Sequence, residues 1–192
     1  MREQLGQDTD AVAGVIEAAF GEESVASLWA EVRSEGLVHA SLVAELDGDL
    51  VGHVGVSAAW LDARERLVDI WMLSPLSVLP DHQGQGIGTT LLNAAVERAR
   101  TTPGVPMLVL EGSPDFYGAR GFERSADHRL YPPSARTPDR AFQVVLLDGH
   151  EPWMTGQCLY RDVWWRHDSA GLRGEALDVL EQRFGVADPR PR

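Results

Sequence analysis

Three alternate glycines in the run Gln83-Gly84-Gln85-Gly86-Ile87-Gly88 stand directly before an amphipathic stretch, and that pairing has a definite chemistry. Glycine lets the backbone curl through left-handed conformations, so that successive N–H groups converge, and the positive end of a helix starting there reinforces them. Such a turn suits an anionic group. Spelling narrows the choice. A Walker-type phosphate loop needs a lysine after its last glycine, and here all 17 basic residues are arginine. Schiff-base chemistry through a lysine amine falls on the same ground. A dinucleotide fingerprint starting at Gly84 would place glycine or alanine at position 89, which is Thr89, and it normally opens a fold instead of following several strands. The same glycine spacing also serves plain strand-to-helix turns, so on its own it names no ligand.

Other reactive side chains stand apart from one another. Cys158 is the single cysteine, which excludes an internal disulfide and a thiolate cluster, suits a reducing cytoplasm, and has no recognisable base beside it in sequence to make it a nucleophile. His39, His53, His82, His128, His150 and His167 show no ligand spacing, so no metal site is expected.

The elements that must hold these residues follow from periodicity. Val12, Val15, Ile16, Ala19 and Phe20 recur at helical spacing, with Thr9 or Asp10 as N-cap and Gly21 as stop, and a second helix carries Val25, Leu28, Trp29 and Val32 up to Gly36. From Leu37 to Leu61 two β-rich runs flank Asp47-Gly48-Asp49, a hairpin signal. A strand over 67–79 contains Ser74-Pro75. Proline donates nothing to a ladder, so the strand should bulge or leave a neighbour there. The glycine loop leads into a helix with Leu91, Leu92, Ala95, Val96 and Ala99 on one face, then a buried strand VPMLVLEG, a short helix from Ser113-Pro114 closed by Gly121, and an extended piece from Phe122. Residues 125–140, rich in proline and charge, read as a long surface loop before the strand AFQVVLLDG. The tail adds Trp153, Trp164 and Trp165, which read as core cover, as a pocket wall or as a homodimer contact, then a final helix GEALDVLEQRF and a fraying DPRPR end.

With those elements in order, LSVLPDHQGQGIGTTLL followed by FYGARGFE resembles the GNAT superfamily of acyl-coenzyme A dependent N-acyltransferases. Gln83, Gly86 and Gly88 match its pyrophosphate motif, and Phe116, Tyr117, Gly121 and Phe122 match its second signature. The resemblance spans about Gln7 to Leu147. It implies an α/β fold of the α+β type, with a mixed, mostly antiparallel sheet splayed at the central strands and flanked by helices. Residues 1–150 would form the acyltransferase domain, and 151–192 an extension packed on it.

The resemblance further implies acetyl-CoA, or another acyl-CoA, as cosubstrate and a small-molecule or peptide amine as acceptor. Pantetheine would add to the splayed strand at Leu76, Ser77 and Val78, with the Leu76 N–H facing the thioester oxygen. The amides of Gln83, Gly84, Gln85, Gly86, Ile87, Gly88 and Thr89 would hold the pyrophosphate. Tyr117 falls where many members place the general acid for the departing thiolate. The carboxylate base that some members carry on the splayed strand is replaced by Met72, which leaves Glu111, at the end of the next strand, as the candidate base, or else a water chain. The same replacement keeps open a non-catalytic acyl-CoA sensor. Asp69 reads as structural.

Composition sets the outer limits. With 192 residues, 44% apolar and 24% charged, the chain suits one globular domain able to bury roughly 70% of its unfolded surface. A formal net charge of −12 disfavours nucleic-acid binding and favours a cationic acceptor in the encounter. No apolar run approaches the ~18 residues of a membrane span, and the acidic start lacks a secretion signal, so a cytoplasmic location is expected.

Overall fold

The structure, a computed structural model, describes residues 1–186, so the DPRPR end expected to fray lies outside the described residues. The chain divides into two compact units, Met1–Ser57 with Leu73–Thr101, and Ala58–Met72 with the residues from Thr102 onward. Strands β3 (Asp49–Ala63) and β4 (Leu67–Val78) each contribute residues to both.

In the first unit, α1 (Thr9–Phe20) buries Val12, Val15 and Ile16 and ends at Gly21 in the left-handed conformation, φ 74°. Phe20 was expected on the buried face, yet it is exposed, because the last helical position turns away from the stripe. Helix α2 (Glu23–Ser34) packs against α1 and buries Ala26, Leu28, Trp29 and Val32. Strand β2 (Val38–Leu46) joins β3 through Asp47-Gly48, whose φ angles of 53° and 96° match the two-residue turn that fits the twist of a hairpin. A short strand unforeseen from the sequence, β1 (Arg2–Glu3), pairs antiparallel with β2 and is tied down by Arg2, which bonds Asp8 at 2.6 Å and Glu45 at 3.1 Å. Helix α3 (Ile87–Thr101) lies against β2 with Leu91, Leu92, Ala95 and Ala99 fully buried.

The second unit is built on β5 (Met107–Glu111), antiparallel to β8 (Phe142–Leu146), which also pairs with β6 (Glu123–Arg124). Helix α4 (Pro114–Tyr117) follows β5. Residues 125–140 are not the plain surface loop the prolines suggested. Ser125, Leu130 and Thr137 are buried, and β7 (Leu130–Tyr131) pairs with a strand from the tail, β9 (Gly156–Tyr160). That strand was missed because only Cys158 and Tyr160 on it are buried, too short an alternation to stand out; it pairs with Ala59–Ala63 of β3. Trp164, on α5 (Asp162–Arg166), is buried as core cover, whereas its neighbour Trp165 is largely exposed and does not serve that role. The foreseen final helix is α6 (Gly174–Phe184).

The strand order is β1-β2-β3-β4-β5-β8-β6, with β9 pairing both β3 and β7. The β4–β5 and β7–β9 ladders are parallel and the β1–β2, β2–β3, β3–β9, β5–β8 and β6–β8 ladders antiparallel, giving the mixed, mostly antiparallel sheet with flanking helices. No helix of the described residues is long and apolar enough to cross a membrane.

Candidate active site

The β4–β5 ladder consists of Trp71↔Leu108 and Met72↔Val109 and goes no further, although both strands continue past it. Separation from β5 therefore sets in upstream of Pro75, not at it, and β4 runs unbroken to Val78. A strand tolerates a residue without an N–H where no ladder needs that donor. Met72 is 2% exposed and belongs to the core, so no carboxylate stands at that point of β4. Asp69 accepts the Trp60 indole N–H at 3.0 Å, a structural pairing.

Downstream, the glycine loop has the conformation that its spelling implies. Gly84 and Gly86 have φ of 73° and 86°, and a side chain built on either meets nothing within 4 Å, so the curled backbone faces open space. Helix α3 begins with the Thr90 N–H donating to the Gly86 carbonyl at 3.0 Å. One expected contributor is spent internally. The Gln83 N–H donates to the Pro80 carbonyl at 3.2 Å, and its side-chain amide donates to the Val78 carbonyl at 3.1 Å. Gln83 thus braces the loop against the end of β4 and is not available as an anion donor. The Gln85 side chain likewise donates to the Asp81 carbonyl at 3.1 Å. Leu76 and Ser77 sit on the last stretch of β4, half-buried and buried respectively.

In the second unit, the turn after β5 carries two titratable groups close in sequence, Glu111 and Tyr117. Glu111 ends β5, and the Tyr160 hydroxyl donates to its Oε1 at 2.8 Å. Burial pushes the Glu111 carboxyl up to about 7; the bonds from Tyr160 and Thr137 and the Arg136 charge pull it back toward ionisation but do not cancel the desolvation. Burial also pushes the Tyr117 phenol up to about 12, which keeps it a protonated donor throughout the working range. The Tyr117 ring lies edge-on to Phe116 at 4.9 Å and to Phe122 at 5.9 Å, and Gly121, φ 88°, turns the chain so that Phe122 reaches it. Cys158 is fully buried and its thiol is pushed well upward by desolvation, so it is not a thiolate nucleophile.

Sequence reading missed Gly112, Tyr160, Thr137 and Arg136. Gly112 lies beneath Tyr117: an added Cβ would stand 2.3 Å from the ring carbon Cε2. Its backbone is pinned on both sides, its N–H donating to the Ala141 carbonyl at 2.9 Å and its carbonyl accepting the Gln143 side-chain amide at 3.1 Å. A Glu-Gly pair ending a buried strand just before an aromatic turn is the local signal that could have marked it. Tyr160 approaches from 49 residues downstream and leaves no local trace.

These features coincide with a known family. Residues 16–127 match the model of the acetyltransferase (GNAT) family, and the chain belongs to that family. It is similar to the uncharacterized N-acetyltransferase YjhQ of Escherichia coli (strain K12), 30% identical over 123 residues, 63% of this chain and 67% of that protein. Among solved structures it resembles the GNAT family N-acetyltransferase YhbS from Escherichia coli in complex with CoA, with a TM-score of 0.74 and 25% identity over 86% of this chain and 91% of that one. It also resembles a GNAT family acetyltransferase from Brucella melitensis in complex with acetyl-CoA, TM-score 0.68 and 26% identity, covering 85% and 96% of the two chains.

Because the Tyr117 ring is held by edge contacts to Phe116 and Phe122, moving it off a methyl group placed under it costs packing. Gly112→Ala should lower stability by about 1–3 kcal/mol, read as an earlier urea midpoint, and displace the ring in a crystal structure. An unmoved ring and midpoint would contradict this packing.

Proposed function

We propose that the chain transfers an acetyl group from acetyl-CoA to a primary amine by direct attack in a ternary complex. The observation that carries this reading is the pairing, six residues apart between the end of β5 and α4, of a carboxyl raised by burial, Glu111, with a phenol held protonated, Tyr117. Family membership and neighbours crystallised with CoA and acetyl-CoA support the cosubstrate. Acetyl-CoA supplies an acyl group activated as a thioester with a thiolate as leaving group.

The chain's residues then have separate tasks. N–H groups from Gly84 to Thr89 receive the pyrophosphate, in a loop whose concave side is open. Leu76 donates its N–H to the acyl oxygen as charge develops there, a contribution of ~3–4 kcal/mol for one preorganised donor. Glu111, as carboxylate, takes a proton from the acceptor's ammonium, directly or through a water, so that the neutral amine attacks the thioester carbon; the C–N bond forms, the C–S bond breaks, and the thiolate leaves. Tyr117 donates to the departing sulfur. A free thiol near ~8.5 is a weaker base than a phenolate held at about 12, so the O–H stabilises the thiolate as a hydrogen-bond donor more than it surrenders its proton. Cys158, buried and protonated, offers no acyl-enzyme route.

A second reading, an acyl-CoA sensor without turnover, draws on Met72, which fills the family's carboxylate position with a buried apolar side chain. Thiol release from acetyl-CoA with a panel of amines separates the two: binding of CoA by calorimetry with no release for any amine would favour the sensor.

Two results are expected of the enzyme. Tyr117→Phe should lower kcat by ~10- to 10⁴-fold with CoA affinity unchanged; an unaltered kcat would remove Tyr117 from the chemistry. Since the base form of Glu111 accumulates above its pKa, kcat/KM should rise with pH through about 7. In Glu111→Gln that limb should vanish, leaving only the amine's own titration near ~10. A limb near pH 7 that survives the substitution would assign the base elsewhere.

A further inference from the structure

A cavity of about 290 Å³ lies in the second unit at the end of β5, and its composition is uneven. Glu111 is at one end; the walls include Pro138, Ala141, Leu172, Leu180 and Phe184. Gly112, on which the Tyr117 ring rests, also borders it. The cavity is therefore a largely apolar chamber with one carboxyl, Glu111, in its lining and Gly112, the residue beneath the proposed acid, beside it.

The far wall comes from the C-terminal segment, which is stapled across the opening. The Leu172 N–H donates to the Arg136 carbonyl at 3.0 Å, the Asp139 N–H donates to the Gly185 carbonyl at 3.1 Å, and Arg183 on α6 pairs with Asp115 on α4 at 2.6 Å. Leu180 and Phe184, one helical turn apart, face inward, while Val179 is exposed on the other side of α6. Charge is distributed to match. Arg183 at the rim is engaged by Asp115, and Arg136 acts on Glu111 from the side of the carboxyl. Glu111 keeps accepting capacity, because a carboxylate offers about four lone-pair sites and the Tyr160 hydroxyl occupies one.

We infer that this cavity is the acceptor site and that it takes a primary amine carried on a single apolar body, with the amino group at Glu111 and the body against Leu172, Leu180 and Phe184. The volume suits about ten non-hydrogen atoms, at roughly 30 Å³ of liquid volume each. A polyamine fits poorly, since its second charge would have to sit among Leu180 and Phe184, where the one carboxylate at the rim, Asp115, is already paired with Arg183. The inference rests on the acyl-transfer reading and narrows it: the net charge of −12 assists encounter with any cation, whereas the chamber selects the body behind the charge.

Two readouts on the full chain separate the pocket from the reaction. In thiol-release assays with acetyl-CoA, phenethylamine should exceed ethylamine and spermidine in kcat/KM by about tenfold or more. Calorimetric titration of phenethylamine into the CoA-loaded chain should show binding. Leu180→Trp, which fills the chamber from a half-buried position, should reduce both the phenethylamine-to-ethylamine ratio and the phenethylamine heat by about tenfold or more, mainly through KM. Heat from CoA alone is the folding control, and Phe184→Leu is the second variant should the first fail it; enlarging the chamber should shift preference toward a longer amine. A spermidine preference, no phenethylamine binding, or a ratio indifferent to both variants would overturn the pocket while leaving acetyl transfer to other amines standing. Phenethylamine binding sensitive to Leu180 without thiol release from any amine would support the chamber and overturn the transfer reading.

Discussion

A carboxyl at the end of a buried strand needs a partner, and at Glu111 the partner is a phenol, not a cation. That choice governs the second unit. An adjacent guanidinium would hold the group ionised well below neutrality; the Tyr160 hydroxyl satisfies one oxygen without forcing the charge. Tyr160 is itself buried at the end of β9, a strand that exists only by pairing with β3 on one side and β7 on the other. The tail is thus part of what keeps Glu111 in its protonation range. Tyr160 in turn packs against Trp164 at 5.7 Å, which secures α5.

The first unit obeys a different constraint, the supply of backbone donors. Its loop between β4 and α3 exposes N–H groups by curling at Gly84 and Gly86, and Gln83 uses both its main-chain and side-chain donors to anchor the curl to Pro80 and Val78. Without a lysine or arginine in the loop, the site relies on dipoles, which are strong only if they stay fixed. Anchoring by Gln83 and Gln85 provides that rigidity. The ladder to β5 ends at Met72, so on that side no pairing of Pro75 with β5 is required.

Much of this could be read from the sequence, and the part that could not has a physical reason. Short-range signals were sufficient for α1, α2, the Asp47-Gly48 turn, the glycine loop, α3 and the Tyr117 turn, because each is specified by spacing, caps or φ preferences within about a dozen residues. What failed was non-local. The pairings of β9 and β7 involve short stretches with little alternation, so nothing in LY or GQCLY announces a strand until its partners are in place. Residues 125–140 looked solvent-facing from their prolines and charges, yet Leu130 and Thr137 anchor them inward. Glu111 was legible as a candidate from its place at a strand end. Tyr160, Thr137 and the α6 side chains that complete its surroundings lie 26 or more residues away in the chain.

The energetic value of the unusual carboxyl can be bounded. An alkylammonium near ~10.4 gives its proton to an ordinary carboxylate only against a gap of roughly six pK units, about 8 kcal/mol at 1.36 kcal/mol each. Raising the acceptor from 4.5 to about 7 removes roughly 3 kcal/mol of that cost. The gain has a limit, since a carboxyl raised much beyond neutrality would be protonated in most molecules before the amine arrived. A value near 7 leaves a substantial fraction as base while strengthening it, which is the compromise a general base should strike. Desolvation by the sheet, the Tyr160 and Thr137 hydroxyls and the more distant Arg136 set that compromise jointly. An apolar body filling the chamber would exclude water and push the carboxyl further up, while the ammonium it carries would pull it down. Amine and apolar body would therefore act on the Glu111 carboxyl in opposite directions, the one favouring its charge and the other opposing it.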